Sequence, residues 1–271
     1  KRLEEHGLRL RAPKCHFAVE SILFLGHQIS HNAIALDPAK IDAICHWPAP
    51  TTAKQVLRYL GFAGYLRKHI KGFAEIAQPL RQAAIKFTWS TDQQTAFNTL
   101  RDAIIAAVPL APPRTDVPFH ILTDASDTCI GAAIMQNDRP VAFLSKMLQG
   151  SQLNWDVGNK EAFAFIATIE QYRYMLHGVP CHIYTDHEPL LRIPIATNQL
   201  SRRLARWQIK LAEFEVFWHY RRGLSHVVPD ALSRRHTAAC TTSPTTTVNM
   251  TSKDTTPHTP QRFVQQDWTQ A

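Results

Sequence analysis

Four acids, Asp124, Glu161, Asp186 and Asp230, are the residues of this sequence best suited to chemistry. Asp124 stands in Thr123-Asp124-Ala125-Ser126 and Asp186 in Thr185-Asp186-His187, each ending a run that reads as a strand, among polar neighbours that do not suit a core. Glu161 falls in a helical run, and Asp230 opens another. Singly, each acid is accounted for as a cap or a turn residue. Brought to one place, four would repel one another, and such a cluster calls for a cation. Oxygen-only ligands favour Mg²⁺ or Mn²⁺ over zinc. Two such ions about 3.5–4 Å apart clamp the attacking and leaving oxygens of a phosphodiester.

The elements that must position these acids are legible in the hydrophobic pattern. Pro118 to Thr123, Ile130 to Gln136 and Pro140 to Lys146 read as three successive strands, followed by a helix from Asn159 to Leu176. His182 to Thr185 makes a fourth strand, Leu200 to Phe214 a second helix, Glu215 to Tyr220 a fifth strand and Pro229 to Arg235 a last helix. The order is βββαβαβα, an α/β arrangement.

Upstream the pattern is mainly helical. Lys1 to Leu10 carries a helical pattern, and Lys14 to Ser30 alternates into a hairpin around Glu20-Ser21. Asp37-Pro38 starts a short helix to about Trp47, and Thr51-Thr52 caps a longer one to about Ile70. Its apolar stripe is Val56, Leu60, Ala63, Leu66 or Arg67, and Ile70, while Lys54, Arg58, Gly61, Tyr65 and Lys68 form a basic, glycine-notched stripe on another face. That face is either simply solvated or a tracker of a nucleic-acid backbone. Ser90-Thr91-x-x-Gln94 opens a capped helix that the Pro109 to Pro113 cluster ends, and a domain boundary is expected near Thr115. From about His236 Thr, Ser and Pro dominate, so residues 236–271 are expected to be a disordered linker.

Composition narrows the classes. A net charge of +8 with 14 His in reserve is the footprint of a polyanion binder. Five Cys form an odd set without Cys-x-x-Cys, which argues against a disulfide framework or a zinc ribbon. Cys15-His16, Cys45-His46 and Cys181-His182 resemble metal pairs, but neighbours on a strand face opposite ways. No apolar run reaches the roughly 18 residues of a membrane span. The chain opens at Lys1 without Met and is expected to be part of something longer.

Five ordered motifs carry a family resemblance. Thr123-Asp124-Ala125-Ser126-Asp127, Lys160-Glu161, Thr185-Asp186-His187-Glu188-Pro189-Leu190, Arg206-Trp207 and Asp230-Ala231-Leu232-Ser233-Arg234 resemble the ribonuclease H domain of gypsy-type LTR retrotransposon Pol polyproteins. Pro13-Lys14-Cys15-x-Phe17, Phe24-Leu25-Gly26-His27, Trp47-Pro48-x-Pro50 and Tyr59-Leu60-Gly61-Phe62-Ala63-Gly64-Tyr65 resemble the palm end, thumb and connection of the same reverse transcriptases. The resemblance implies a ribonuclease H-like α/β domain, with a mixed five-stranded sheet and helices, over residues 115–235. Residues 1–35 would be the end of the palm and 36–114 the thumb and connection.

By that resemblance, the RNA strand of an RNA/DNA hybrid is cut by two-metal hydrolysis, leaving a 5′-phosphate and a 3′-hydroxyl. Asp124 would bridge both ions, Asp230 would complete the site of the attacking water, and Glu161 with Asp186 would hold the leaving-group ion. Tyr220 or His226 would fill an auxiliary place near the last Asp. Phe24, Leu25, Gly26 and His27 would form the primer grip, Gly61 and Tyr65 would follow the minor groove, and Arg202, Arg203 and Arg206 are candidates for phosphate contact. In that loop His226 and Pro229 stand where Asn and Ala are usual, and a Pro at a helix start is sterically acceptable. No Asp-Asp pair occurs, so polymerase chemistry would need an upstream palm. The implied partners are hybrid, template-primer duplex and the remaining Pol segments: palm and fingers upstream, integrase downstream. The implied place is a cytoplasmic virus-like particle. An inert nucleic-acid-binding remnant of a retroelement is the alternative.

Overall fold

A computed structural model of the chain describes residues 2–9, 11, 15–185, 202–220 and 261–262. Helix α1 is short, Arg2–Glu5, rather than continuing to Leu10. Strands β1 (Ser21–Phe24), β2 (His27–Ser30) and β3 (Ile34–Leu36) form a small antiparallel sheet. The hairpin turns at Leu25-Gly26, not at Glu20-Ser21. Both residues have positive φ, 47° and 69°, which suits the right-handed twist of the strands they join.

Caps set the helices that follow. Asp37 accepts the amide of Ala39 to start α2 (Pro38–Cys45), and Thr52 accepts that of Gln55 to start α3 (Ala53–Tyr65). α3 ends at Tyr65 and tightens into a 3-10 turn over Arg67–His69, so Lys68 lies beyond the α-helix proper. Its buried stripe runs through Val56, Tyr59, Ala63 and Leu66; Tyr59 packs against Phe97 at 4.7 Å, while Leu60 is only partly covered. α4 (Phe73–Ile76) and α5 (Gln78–Ile85) lead to α6 (Thr91–Ile105), whose capping box pairs Ser90 with Gln93, one residue before the expected pair. These elements share one core, including Ile44, Val56, Leu80, Phe97, Leu100 and Ile104.

The second half is one mixed sheet in the order β6-β5-β4-β7-β8-β9. β4 (Phe119–Ala125), β5 (Cys129–Gln136) and β6 (Arg139–Met147) are an antiparallel meander. Asn137 and Asp138, both at positive φ, make its two-residue turn. α7 (Val157–Gln171) is capped by Asp156, and α8 (Arg173–Leu176) follows a break at Tyr172, where one longer helix is expected from sequence. β7 (Cys181–Thr185) lies parallel to β4, and after α9 (Arg202–Leu211) strand β8 (Val216–Tyr220) lies parallel to β7. As far as β8 this is the expected α/β order, and the five expected strands of the mixed sheet are all present. The tail departs from the expected structureless linker at two residues: Gln261–Arg262 form β9, antiparallel to β8. Residues 186–201 and 221–260, with Asp186, His226, Asp230 and the expected last helix, lie outside the described residues.

α7 covers one face of the sheet through Ala164, Phe165 and Ile169, with Phe165 edge-on to Trp218 at 4.8 Å. Burying each such aromatic contributes about 1.5–3 kcal/mol. Cys181 points into this core while His182 faces the other way, against His120 and His219, so this Cys-His pair cannot chelate. The two halves are joined at Ser145 of β6. Arg67 donates to its carbonyl at 2.7 Å, and its hydroxyl accepts the amide of Ala74 at 2.9 Å. Ile34 and Leu110 bridge nearby through paired backbone hydrogen bonds.

Candidate active site and nucleic-acid interface

The carboxyl ends of three parallel strands form the candidate site, the edge at which α/β sheets present ligand-binding groups. Asp124 is exposed, one residue from the end of β4. Thr185 closes β7 and Tyr220 closes β8, and the two are register partners. Leu122 pairs with Tyr184, so Thr123 is level with Thr185 one strand away, a spacing of about 4.8 Å. Glu161, on the second turn of α7 and 9% exposed, leans onto the same edge and accepts a hydrogen bond from the Thr185 hydroxyl at 3.2 Å. Asp124, Glu161 and Tyr220, widely separated in sequence, thus reach one end of the sheet.

Two residues that the acid pattern did not single out shape this edge. Thr185 fixes the Glu161 carboxylate. Lys160, buried beside it, sends its ammonium to the Asp127 carbonyl at 3.2 Å and pins the loop that follows Asp124. Its approach to the Asp127 carboxylate at 3.5 Å adds little, because that group is solvated. Strand register and helix docking expose both roles, and neither is visible in residue spacing.

Among the described residues no set of three His, Cys, Asp or Glu is placed to hold a metal ion. Two of the four expected ligands, Asp186 and Asp230, lie outside them. The described donors, Asp124 and Glu161, are both carboxylates, the donor type that hard Mg²⁺ or Mn²⁺ prefers, and in that respect they fit.

The second candidate surface is the basic stripe on α3. Lys54, Arg58, Gly61 and Tyr65 share the exposed face of α3, and Lys68 adjoins them, half-buried, with burial pushing its ammonium pKa down. A Cβ at Gly61 would meet nothing within 4 Å, so no packing among the described residues requires glycine there. The turn from β1 to β2 projects beside this stripe. Phe24 and Leu25 are 56% and 72% exposed. His27 corrects the sequence expectation: its ring is buried, stacked on His69 at 5.2 Å and against Tyr65 at 5.3 Å, and is not offered as a contact. Tyr65 Oη donates to the Leu25 carbonyl and lies 3.2 Å from His27 Nδ1, which ties the turn to α3. Gly26 is favoured by its conformation, at φ +69°, and the Lys40 side chain lies across it. Arg206 is exposed on α9; of Arg202 only the backbone is described.

Residues 114–214 match the family described as the RNase H-like domain found in reverse transcriptase. In an alignment 251 residues long that covers 86% of this chain, the sequence is 35% identical to the retrovirus-related Pol polyprotein from transposon opus of Drosophila melanogaster, covering 25% of it. Over 237 residues it is 34% identical to the corresponding polyprotein from transposon 297 of the same fly, covering 22% of it. The Tf2-3 polyprotein of Schizosaccharomyces pombe is 30% identical over 245 residues, 18% of its length. The chain therefore spans a quarter or less of these relatives. Among solved structures, the foamy viral protease-reverse transcriptase in complex with RNA/DNA hybrid aligns at TM-score 0.69 and 17% identity, over 89% of this chain and 33% of that one. The same enzyme in complex with dsDNA aligns at 0.65 and 19% identity, over 76% and 45%. The likeness is one of fold.

Proposed function

The chain carries an RNase H-like domain of the retrotransposon Pol polyprotein kind, and from that premise we propose that it cuts the RNA strand of RNA/DNA hybrids as the nuclease part of a reverse transcriptase. The observation that supports this reading is that Asp124, Glu161 and Tyr220 stand at the same end of the sheet, with Glu161 held by Thr185. Asp124 and Glu161, together with Asp186 and Asp230, would hold two Mg²⁺ or Mn²⁺ ions. Those ions would activate water and stabilise the charge that builds on the leaving 3′-oxygen.

This chain's own residues do the positioning. Thr185 keeps the Glu161 carboxylate from rotating, Lys160 holds the loop that follows Asp124, and Tyr220 offers a phenol at the mouth of the site. The thumb stripe from Lys54 to Lys68 and the projecting Phe24-Leu25 turn would seat the duplex through its backbone and groove, with little sequence preference. Gly61 gives a phosphate or sugar room to approach α3. Polymerisation would require the palm and fingers of a complete Pol polyprotein.

The test is cleavage of an RNA/DNA hybrid labelled in its RNA strand, with Mg²⁺ or Mn²⁺, beside single-stranded RNA and the Asp124→Asn and Asp186→Asn variants. Hybrid-only cutting that both variants lose supports the nuclease. Hybrid binding without cutting, even in Mn²⁺ and with the upstream palm restored, would favour an inert remnant.

A further inference from the structure

On the outer side of α7, away from the Glu161 carboxylate, three aromatic rings meet only half-buried. Trp155 stands 5.4 Å from Phe163 and 5.8 Å from Trp207, and Phe163 and Trp207 lie 6.2 Å apart at 26°. Between them and α9 is a cavity of about 240 Å³, lined by Trp155, Phe163, Arg203, Arg206, Trp207 and Lys210. The Arg203 guanidinium lies 4.0 Å from the centre of the Trp155 ring, and Lys146 lies 5.4 Å from that of Phe163. Lys210 is also paired with Glu170. The floor is aromatic and the rim cationic, with no acid among the described residues of the lining.

We infer that this cavity seats an unpaired nucleotide of a single strand, the base against the Trp155–Trp207 floor and its phosphates along Arg203, Arg206 and Lys146. The chemistry selects this occupant. A free phosphate would leave the rings unused, an apolar segment would set hydrocarbon against a cationic rim, and a duplex hides its base faces in its own stack. A base with flanking phosphates uses both, and stacking on an aromatic floor tolerates any base. The cavity is below the roughly 300 Å³ at which clefts for drug-sized ligands begin, which suits one ring system. The site lies beside the carboxylate edge rather than in it, so it goes beyond hybrid cleavage and would stand even if that edge were inert.

The test is binding of a labelled 15-nucleotide oligo(dT) by the full chain in EDTA, so that cutting plays no part. The same-length abasic sugar-phosphate strand and a blunt duplex are run alongside. Oligo(dT) is expected to bind about tenfold more tightly than the abasic strand. Trp155→Leu should collapse that difference while leaving duplex binding unchanged, and Arg203→Met should collapse it as well. Arg203→Met removes a side chain at the rim and guards against a Trp155 variant that fails to fold. Equal affinity for the oligo(dT) and abasic strands overturns the inference, since charge alone would then explain binding. So does a preference that survives both substitutions, or a matching loss of duplex binding in both. Cleavage of hybrid, measured separately in Mg²⁺, reports on the nuclease reading and not on this one.

Discussion

The hydroxyl of Thr185 meets Oε2 of Glu161 at 3.2 Å, joining the last residue of β7 to the second turn of α7 in a buried place. A strand end and a helix face are thereby set against each other at the point where a carboxylate must keep a fixed aim. Removing the hydroxyl with Thr185→Val should cost about 1 kcal/mol of stability, the net worth of one such hydrogen bond. It should also lower cleavage more than it lowers hybrid affinity. Urea denaturation beside single-turnover cleavage and hybrid binding checks this. A variant with unchanged turnover would mean that Glu161 keeps its aim without Thr185.

Clustered acids predict a response to metal. If Asp124 and Glu161 help hold a divalent ion in the native state, Mg²⁺ at a hundredfold excess over its Kd adds about 2.7 kcal/mol. For a chain of this size that is a rise in Tm of roughly 5–10 °C. In EDTA, Asp124→Asn should melt above the parent, because one of the mutually repelling charges is gone. Calorimetric scans in EDTA and in Mg²⁺ decide it. No rise in either comparison would count against a shared ion site.

Gly61 separates stability from binding. Its Cβ space is open and its place is interior to α3, so Gly61→Ala should stabilise the chain by about 0.5–1 kcal/mol. If a phosphate or sugar approaches α3 there, the same substitution should weaken duplex binding severalfold. Thermal melts and duplex titrations on one sample set check both signs. A gain in stability with unaltered affinity would leave the basic stripe of α3 as a solvated face.

Acid should loosen the first half of the chain through His69. Burial pushes its pKa down to about 3, and His27 beside it is lowered too, mainly by desolvation. Below about pH 6.5 the unfolded chain takes up a proton that the folded one refuses. The stability contributed by neutral His69 is therefore complete above pH 6.5 and is lost as pH falls toward 3. Each pH unit in that window costs about 1.4 kcal/mol. Urea midpoints from pH 7.5 to 5 should fall accordingly, and His69→Leu should flatten the slope by close to one proton. An unaltered slope would place the acid sensitivity elsewhere.

Most of the sheet could be read from alternation, since β4 to β8 start and stop within a few residues of the expected places. The β1–β2 turn could not, because Leu25-Gly26 offers no Asn-Gly or Asp-Gly signal and its positive φ at Leu25 is a tertiary outcome. The end of α3 was masked by Leu66 and Ile70, which continue the apolar period although the backbone has already tightened. Tyr59 escaped the predicted stripe because its ring packs while its hydroxyl reaches the Phe97 carbonyl at 3.3 Å, a partner known only once α6 has docked. At the site, residue type singled out Asp124 and Glu161. What Thr185 and Lys160 do depends on register and docking, which spacing along a chain does not encode.

Ser145 bears on the geometry of cutting. With Arg67 on its carbonyl and the amide of Ala74 on its hydroxyl, β6 is clamped to the segment that follows α3, and the two halves turn together or not at all. Such a joint acts as a caliper: whatever length of duplex lies along α3, its distance from the strand-end acids is preset. If the chain cuts hybrid as proposed, its incisions should therefore fall at one characteristic offset from the bound terminus. Ser145→Ala combined with Arg67→Ala should blur that offset into a ladder before it abolishes cutting.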